Sequence, residues 1–416
     1  MNSIIVNGEH PLFGEVTIQG SKNAALPIIA ATVLIKGITT IYNCPRIADI
    51  YYMLRILQFN GCVVQFKDAV LTIDASKCDG YRIPVEYADK MRSSITLLGA
   101  LLGRNKHAET PQPGGCVIGA RPIDLHIGAL KQMNISFKTD GQFLYAKTDG
   151  IKGATIRLKR KSVGATENII LAAVLAEGRT QIYGAAREPE IVALCDFLKK
   201  AGARISGEGT DYIIIDGVSD LNSTQYSVQP DRIVAGTYCL AAVATRGQIV
   251  LQECPHHHLV ALMQVLNKMG VRAEREKQKL YLDARRANAS IPYLVTSEYP
   301  GFPTDLQSQL MSVLSIANGR SVIRENIFEE RYKVAAQLRM MGASIRISEN
   351  EAYIDGVESL TGCQVTAEEL RGGAALVIAG LAAKGRTVIQ NAHFIARGYE
   401  NIVGDLKKLG AYIEAG

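Results

Sequence analysis

Two kinds of helical pattern alternate along the chain. One is apolar nearly all round, as in AALPIIAATVLI, SSITLLGALLG, TENIILAAVLAEG and GGAALVIAGLAAKG, which suits helices buried on every side. The other is amphipathic, as in EPEIVALCDFLKKAG and NIVGDLKKLG, with lysine pairs near the C-terminus where the helix dipole favours cations. The apolar segments close at Gly37, Asn105, Gly178, Gly247, Gly319 and Gly385, and the amphipathic ones at Gly61, Asn134, Gly202, Gly270, Gly342 and Gly410. Steps in the second set are 73, 68, 68, 72 and 68 residues, so a sixfold repeat fills the 416-residue chain. Asparagine is the other residue that tolerates the left-handed position ending a helix, so one stereochemical requirement is expected at all twelve stops. Period-two stretches follow, such as ASIRISENEAYIDG at residues 343–356 with Glu349 and Asn350 at its turn, which predicts strands pairing beside each helix couple. The expected fold is α/β, in units of roughly 70 residues with three per domain.

Charge narrows the function. There are 46 Lys and Arg against 40 Asp and Glu, a net +6 without a basic run, so no nucleic acid partner is expected and a small anionic substrate stays open. The longest mostly apolar stretch, residues 24–35, has 12 residues and contains Pro27, short of the roughly 18 a membrane span needs; no membrane insertion is expected. The N-terminus lacks the charged and apolar regions of an export signal, which points to a cytoplasmic location. The eight cysteines, 44, 62, 78, 116, 195, 239, 254 and 363, form no CxxC pair and read as reduced thiols with no metal site. No Walker A or strand-linked GxGxxG occurs, so nucleotide hydrolysis and dinucleotide chemistry lack support; no cofactor is expected. His256, His257 and His258 read as a solvated helix start, since adjacent side chains diverge.

Chemistry concentrates where the apolar helices begin. Those positions hold Lys22, Arg92, Gly164, Arg232, Asp305 and Arg371. A cation there is disfavoured by about 0.3–1 kcal/mol; singly each reads as exposed and screened, but four in one slot of a repeat call for an offset, which bound anions would supply. The starts of amphipathic helices add Arg121, Arg331 and Arg397. A cleft dense in Arg and Lys, taking a substrate with phosphate and carboxylate groups, is expected. In GSKNAALP, Ser21 can cap, Lys22 can reach an anion, and Asn23 offers donor and acceptor. In PQPGGCVIGARPIDLHI, a Pro-Gly-Gly loop is a poor place to bury Cys116, and cations nearby would draw its pKa from about 8.5 toward neutrality, giving a reactive thiol. In YPGFPTDLQSQL, Asp305 is the one acid in its slot, and capping and proton-accepting roles are both open.

Together SKNAALP, PGGCVIGARPIDLHI, SVGATENI, AAREPEI, PDRI, GFPTDLQ, IFEER and ARGYENI resemble, along the whole chain, the bacterial UDP-N-acetylglucosamine 1-carboxyvinyltransferase family, enolpyruvyl transferases of the EPSP synthase superfamily that open peptidoglycan synthesis. The resemblance implies a two-domain inside-out α/β barrel of six βαβαββ repeats. One domain would span 22–229 and carry the Cys116 loop, the other would join 1–21 to 230–416, and substrates would bind between them. It implies transfer of the enolpyruvyl group of phosphoenolpyruvate to the sugar 3-hydroxyl of UDP-N-acetylglucosamine through a tetrahedral ketal, with phosphate released. Cys116 would be the proton donor and the residue alkylated by fosfomycin, and Asp305 the base. Lys22, Arg121 and Arg397 would hold phosphoenolpyruvate, with Arg92, Arg331 and Arg371 nearby. Asn23, Arg121, Pro122, Ile123, Asp124, Leu125, Arg160, Lys161, Ser162, Val163 and Ile327 would contact the UDP-sugar. Three positions depart from the family pattern: Glu369 for an aspartate before Leu370-Arg371, Ala396 for an aspartate before Arg397, and Arg160 for a lysine. Two alternatives stay beside this reading: an EPSP synthase, which shares repeat and donor, and a paralogue that binds UDP-sugar to regulate.

Overall fold

The computed structural model describes residues 2–111, 118–119 and 122–416. Both helix sets form where the pattern puts them. The apolar ones are Lys22–Thr32, Leu97–Asn105, Val163–Ala173, Arg232–Ala244, Gln307–Leu314 and Leu370–Ala382; in Arg232–Ala244 every residue is buried. The amphipathic ones are Ala48–Phe59, Asp124–Lys131, Pro189–Lys200, Val260–Lys268, Val334–Met340 and Ile402–Lys408. His256–His258 forms a short 3-10 turn ahead of its helix, with none of its residues buried.

The amphipathic helices end as expected, with Gly61, Asn134, Gly202, Gly270, Gly342 and Gly410 all at positive φ. The apolar helices correct the expectation at three of six stops. Gly178, Gly319 and Gly385 are left-handed, whereas Gly37, Asn105 and Gly247 are not, and Lys106 and Arg246 take that conformation instead. Close approach is what requires glycine at two of these: a Cβ would lie 2.3 Å from Ser223 Oγ at Gly37 and 2.4 Å from the Leu12 carbonyl oxygen at Gly247.

One repeat shows the plan. Strand Thr155–Arg157 leads through the buried helix Val163–Ala173 to the parallel strand Arg179–Tyr183, then through Pro189–Lys200 to Arg204–Ser206 and Tyr212–Asp216, all in one sheet. The parallel pair needs a long crossover, which the buried helix provides. The 343–356 stretch forms the expected antiparallel pair, Ser344–Ser348 with Glu351–Asp355, and Glu349 turns at φ 53°.

The chain divides into two compact units, one of residues 1–19, 118–119 and 230–416, the other of the remaining stretch between Gly20 and Gln229. Strand pairing explains the discontinuity. Ser3–Asn7 lies between Arg386–Gln390 and Tyr412–Ala415, and Phe13–Thr17 pairs in parallel with Gln248–Gln252. Thr224–Ser227 pairs in parallel with Ile38–Tyr42, supplying the first repeat with the strand that its own N-terminal side gives to the other unit. In the unit of residues 230–416 the three apolar helices pack on one another beneath three sheets; in the other, Leu97–Asn105 packs against both Lys22–Thr32 and Val163–Ala173. Helices inside and sheets outside make each unit an inside-out α/β barrel. No helix among the described residues is long and apolar enough to cross a membrane.

Candidate active site

In the unit of residues 20–229, Ser21 caps the helix Lys22–Thr32, its Oγ accepting from Ala24 N at 3.3 Å. Lys22 therefore opens that helix, and its Nζ lies 2.6 Å from Oδ2 of Asp49, a buried acid in the first turn of Ala48–Phe59. Arg92, half-buried, opens the 3-10 turn Arg92–Thr96. The two stretches expected to hold a UDP-sugar are brought together: Arg160 Nη2 lies 3.2 Å from Asp124 Oδ1, and Ser162 caps Val163–Ala173 by accepting from Ala165 N. Beneath them Asn168 Nδ2 sits 3.0 Å from Nδ1 of the buried His126, while Asn168 Oδ1 accepts from Gly99 N at 2.6 Å. Cys116 and Arg121 lie outside the described residues.

In the other unit Asp305 sits in the 3-10 turn Thr304–Leu306, and its carboxylate bridges two guanidinium groups. Oδ1 is 2.8 Å from Arg331 Nη2 and Oδ2 is 2.7 Å from Arg371 Nη2. The arginine side chains are 2% and 5% exposed, against 26% for Asp305, so the acid is the accessible member. Burial alone would lower the Arg371 pKa, but the Asp305 carboxylate, with Tyr399 and Asp231, overrides it and holds the guanidinium charged. Arg331 also donates to the Thr304 carbonyl, and the Thr304 hydroxyl donates to Glu325 Oε2 at 3.0 Å. Glu325 Oε1 accepts from Ile327 N and Phe328 N, so one buried carboxylate fixes both Thr304 and Ile327.

Glu369 is the N-cap of Leu370–Ala382. Its carboxylate accepts from the backbone N–H groups of Arg371, at 2.7 Å, and Gly372, and stands 3.8 Å from Arg331 Nη1. Asp231 caps Arg232–Ala244 in the same way, and the buried Arg232 lies over the Tyr299 ring with 5.7 Å between guanidinium carbon and centroid. Arg397 ends the 3-10 turn Ala392–Arg397; the residues after it are anchored, Gln19 Nε2 donating to the Gly398 carbonyl at 3.1 Å and the Tyr399 hydroxyl lying 2.7 Å from Thr237 Oγ1. Ala396 is exposed beside it.

The expected unfavourable cations at helix starts are thus met in part from within the protein. Asp49 serves Lys22 and Asp305 serves Arg371, so the offset does not rest on bound anions alone. Sequence reasoning missed Asp49, Asp231 and Glu325. Asp49 and Asp231 carried a signal as acids at helix starts, whereas Glu325 follows a strand and has none.

The sequence pattern of the EPSP synthase family, described as EPSP synthase (3-phosphoshikimate 1-carboxyvinyltransferase), matches residues 6–406. The chain belongs to the EPSP synthase family. It is 46% identical over 413 residues, covering 99% of both chains, to the UDP-N-acetylglucosamine 1-carboxyvinyltransferase 2 of Caldanaerobacter subterraneus subsp. tengcongensis. It is 42% identical, again over 99% of both chains, to the UDP-N-acetylglucosamine 1-carboxyvinyltransferase of Nitratidesulfovibrio vulgaris. Among solved structures, the enolpyruvyl transferase NikO from Streptomyces tendae superposes with a TM-score of 0.89 at 24% identity over 99% of this chain and 98% of that one. An EPSP synthase from Acinetobacter baumannii gives 0.75 at 19% identity, over 100% and 99%. These two carry the fold alone.

Proposed function

We propose that the chain is an enolpyruvyl transferase that moves the enolpyruvyl group of phosphoenolpyruvate to the 3-hydroxyl of UDP-N-acetylglucosamine and releases phosphate, the first committed step of peptidoglycan synthesis. The observation that carries this reading is the end-to-end similarity to relatives named for that transfer. The substrates place the protein in the cytoplasm and call for no cofactor.

In this mechanism Asp305 takes the proton of the sugar hydroxyl as that oxygen bonds to C2 of phosphoenolpyruvate. Cys116 gives a proton to C3, which converts the enol to a tetrahedral ketal. Loss of a C3 proton and cleavage of the C2–O bond to phosphate then yield the enol ether and inorganic phosphate. Lys22, Arg121 and Arg397 hold the donor, with Arg92 nearby. Arg331 and Arg371 hold Asp305 in place through its two oxygens, at 2.8 and 2.7 Å; fixed charges of this kind need no reorganisation as the reaction proceeds. Asn23, residues 121–125, residues 160–163 and Ile327 take the UDP-sugar. Arg160 keeps charge where the family has lysine, and its fork is already engaged with Asp124.

Phosphate release tests the proposal. Release with phosphoenolpyruvate and UDP-N-acetylglucosamine, and none with shikimate 3-phosphate, is expected. Release only with shikimate 3-phosphate makes the chain an EPSP synthase, and release with neither, alongside UDP-sugar binding, makes it a regulatory binder.

A further inference from the structure

We propose that Gln19 is a positioning residue for Arg397: its carboxamide grips the backbone just past that arginine and so sets where the guanidinium points. The inference rests on the proposed transfer, in which Arg397 holds phosphoenolpyruvate. The fold fixes Gln19 before its side chain acts. Strand Phe13–Thr17 leads into it, Ile18 N donates to the Gln252 carbonyl at 3.0 Å, and the Gln19 carbonyl accepts from Asp231 N at 2.8 Å. Gln19 is the last residue of its unit before the chain passes to the other, and Asp231 lies one residue past the start of the return at Pro230. From this anchored backbone the half-buried side chain makes two bonds to a segment 379 and 381 residues away. Nε2 donates to the Gly398 carbonyl at 3.1 Å, and Oε1 accepts from Glu400 N at 2.8 Å. One amide thus brackets Tyr399, and a carboxamide carries both the donor and the acceptor this needs.

What the amide holds is a turn that ends on the arginine. Ala392–Arg397 is a 3-10 turn, closed by Gly398 N and Tyr399 N, which both donate to the Ile395 carbonyl, at 3.0 and 3.1 Å. Past it the Tyr399 side chain is buried with its hydroxyl 2.7 Å from Thr237 Oγ1, and Asn401 caps the helix Ile402–Lys408 by accepting from Gly404 N. Arg397 therefore stands between a closed turn and three residues that are pinned in succession. The exposed Ala396 has no polar side-chain atom to add to that hold.

The consequence is one of leverage. A guanidinium sits at the end of a long side chain, so a small rotation of the backbone at its Cα becomes a larger displacement at the head. A misplacement of roughly 1 Å at a site of reaction can cost about 100-fold. Gly398 is buried, so removing the amide leaves its carbonyl without that donor and without ready access to water, and the turn gains a reason to move. Gln19 touches neither reactant in this account; it acts through Arg397.

Titration calorimetry on the full chain tests this, with phosphoenolpyruvate and UDP-N-acetylglucosamine as separate probes and circular dichroism reporting the fold. Gln19→Ala should weaken phosphoenolpyruvate binding by about tenfold and UDP-sugar binding by less than about twofold. In an Arg397→Ala background the same substitution should add less than about twofold, because two residues acting as one unit are not additive. Gln19→Glu keeps the acceptor for Glu400 N but, as a carboxylate, donates nothing to Gly398; it should weaken phosphoenolpyruvate in the same direction, and it decides if Gln19→Ala does not fold. Unchanged phosphoenolpyruvate affinity in a folded variant, equal loss for both probes, or a further tenfold loss on top of Arg397→Ala would overturn the proposal. Phosphate release by the parent, measured alongside, separates the two claims. A parent that binds phosphoenolpyruvate yet transfers nothing refutes the transfer while the calorimetric comparison still decides the role of Gln19; a parent that binds no phosphoenolpyruvate overturns both.

Discussion

Replacing Glu369 with alanine, and separately with aspartate, separates its helix-capping role from any part it plays in the chemistry. The carboxylate caps a helix whose residues 370–381 are all buried, accepting from two backbone N–H groups. Losing an N-cap costs about 1 kcal/mol, and removing a negative charge from a helix N-terminus costs about 0.3–1 kcal/mol more. Arg331 loses its 3.8 Å partner but keeps Asp305 at 2.8 Å, so it stays paired and the full penalty for an unpaired buried charge does not apply. The sum is about 1.3–2 kcal/mol, which in a unit of this size lowers the thermal midpoint by roughly 3–8 °C. Glu369→Asp should stay within about 0.5 kcal/mol of the parent, because aspartate caps equally well. Urea midpoints at unchanged m-value report the stability. An alanine variant as stable as the parent would show that the cap contributes nothing. Turnover measured on the same aspartate variant reports the chemistry independently: a rise of about tenfold with stability unchanged is expected if the extra methylene displaces a proton-transfer carboxylate.

Four further outcomes are expected. Arg371→Lys keeps the charge but loses the fork that reaches Asp305 at 2.7 Å, so kcat should fall by about tenfold or more with the fold intact by circular dichroism. Asp49→Asn removes the carboxylate charge 2.6 Å from Lys22 and should cost about 2–4 kcal/mol in urea unfolding. Cys116→Ser should abolish fosfomycin labelling by mass spectrometry while UDP-N-acetylglucosamine binding by calorimetry persists. Asp283 should titrate at about 2 by carboxyl NMR, first because Arg285 donates to its side chain; its depressed value means a stabilising contribution present above 3.8 and lost as pH falls through about 2, and Arg285→Gln should return it toward 3.8.

What the sequence made legible was what repeats locally. Helix type, helix stops at nine of twelve positions and the 343–356 hairpin follow from periodicity and from the few residues that tolerate positive φ. What it concealed is long-range. The strand Phe13–Thr17 pairs with Gln248–Gln252 more than two hundred residues away, and no local pattern announces that exchange. The turn at Asn60 is tied to Arg82, twenty-two residues on, through both its side-chain atoms. The candidate site divides the same way: Lys22, Asp305, Arg331 and Arg371 were visible as unusual charges at helix starts, whereas Glu325, which fixes Thr304 and Ile327, acts through hydrogen bonds its surrounding sequence does not encode.

The carboxylates change what the cation pattern means. Around Asp305 the guanidinium groups of Arg331 and Arg371 are offset by the Asp305 carboxylate, with Glu369 beside Arg331 and Asp231 acting on Arg371. Arginines already offset by carboxylates are a weaker trap for a phosphate dianion than unpaired ones would be. The cluster gains one positive charge when Asp305 accepts a proton, which in the proposed reaction is the moment the sugar oxygen bonds to the donor and a phosphate-bearing ketal forms. If Asp305 is the base, as proposed, an acid held between two buried arginines couples proton removal to the appearance of positive charge and so favours the intermediate over the bound substrates, the differential that catalysis requires.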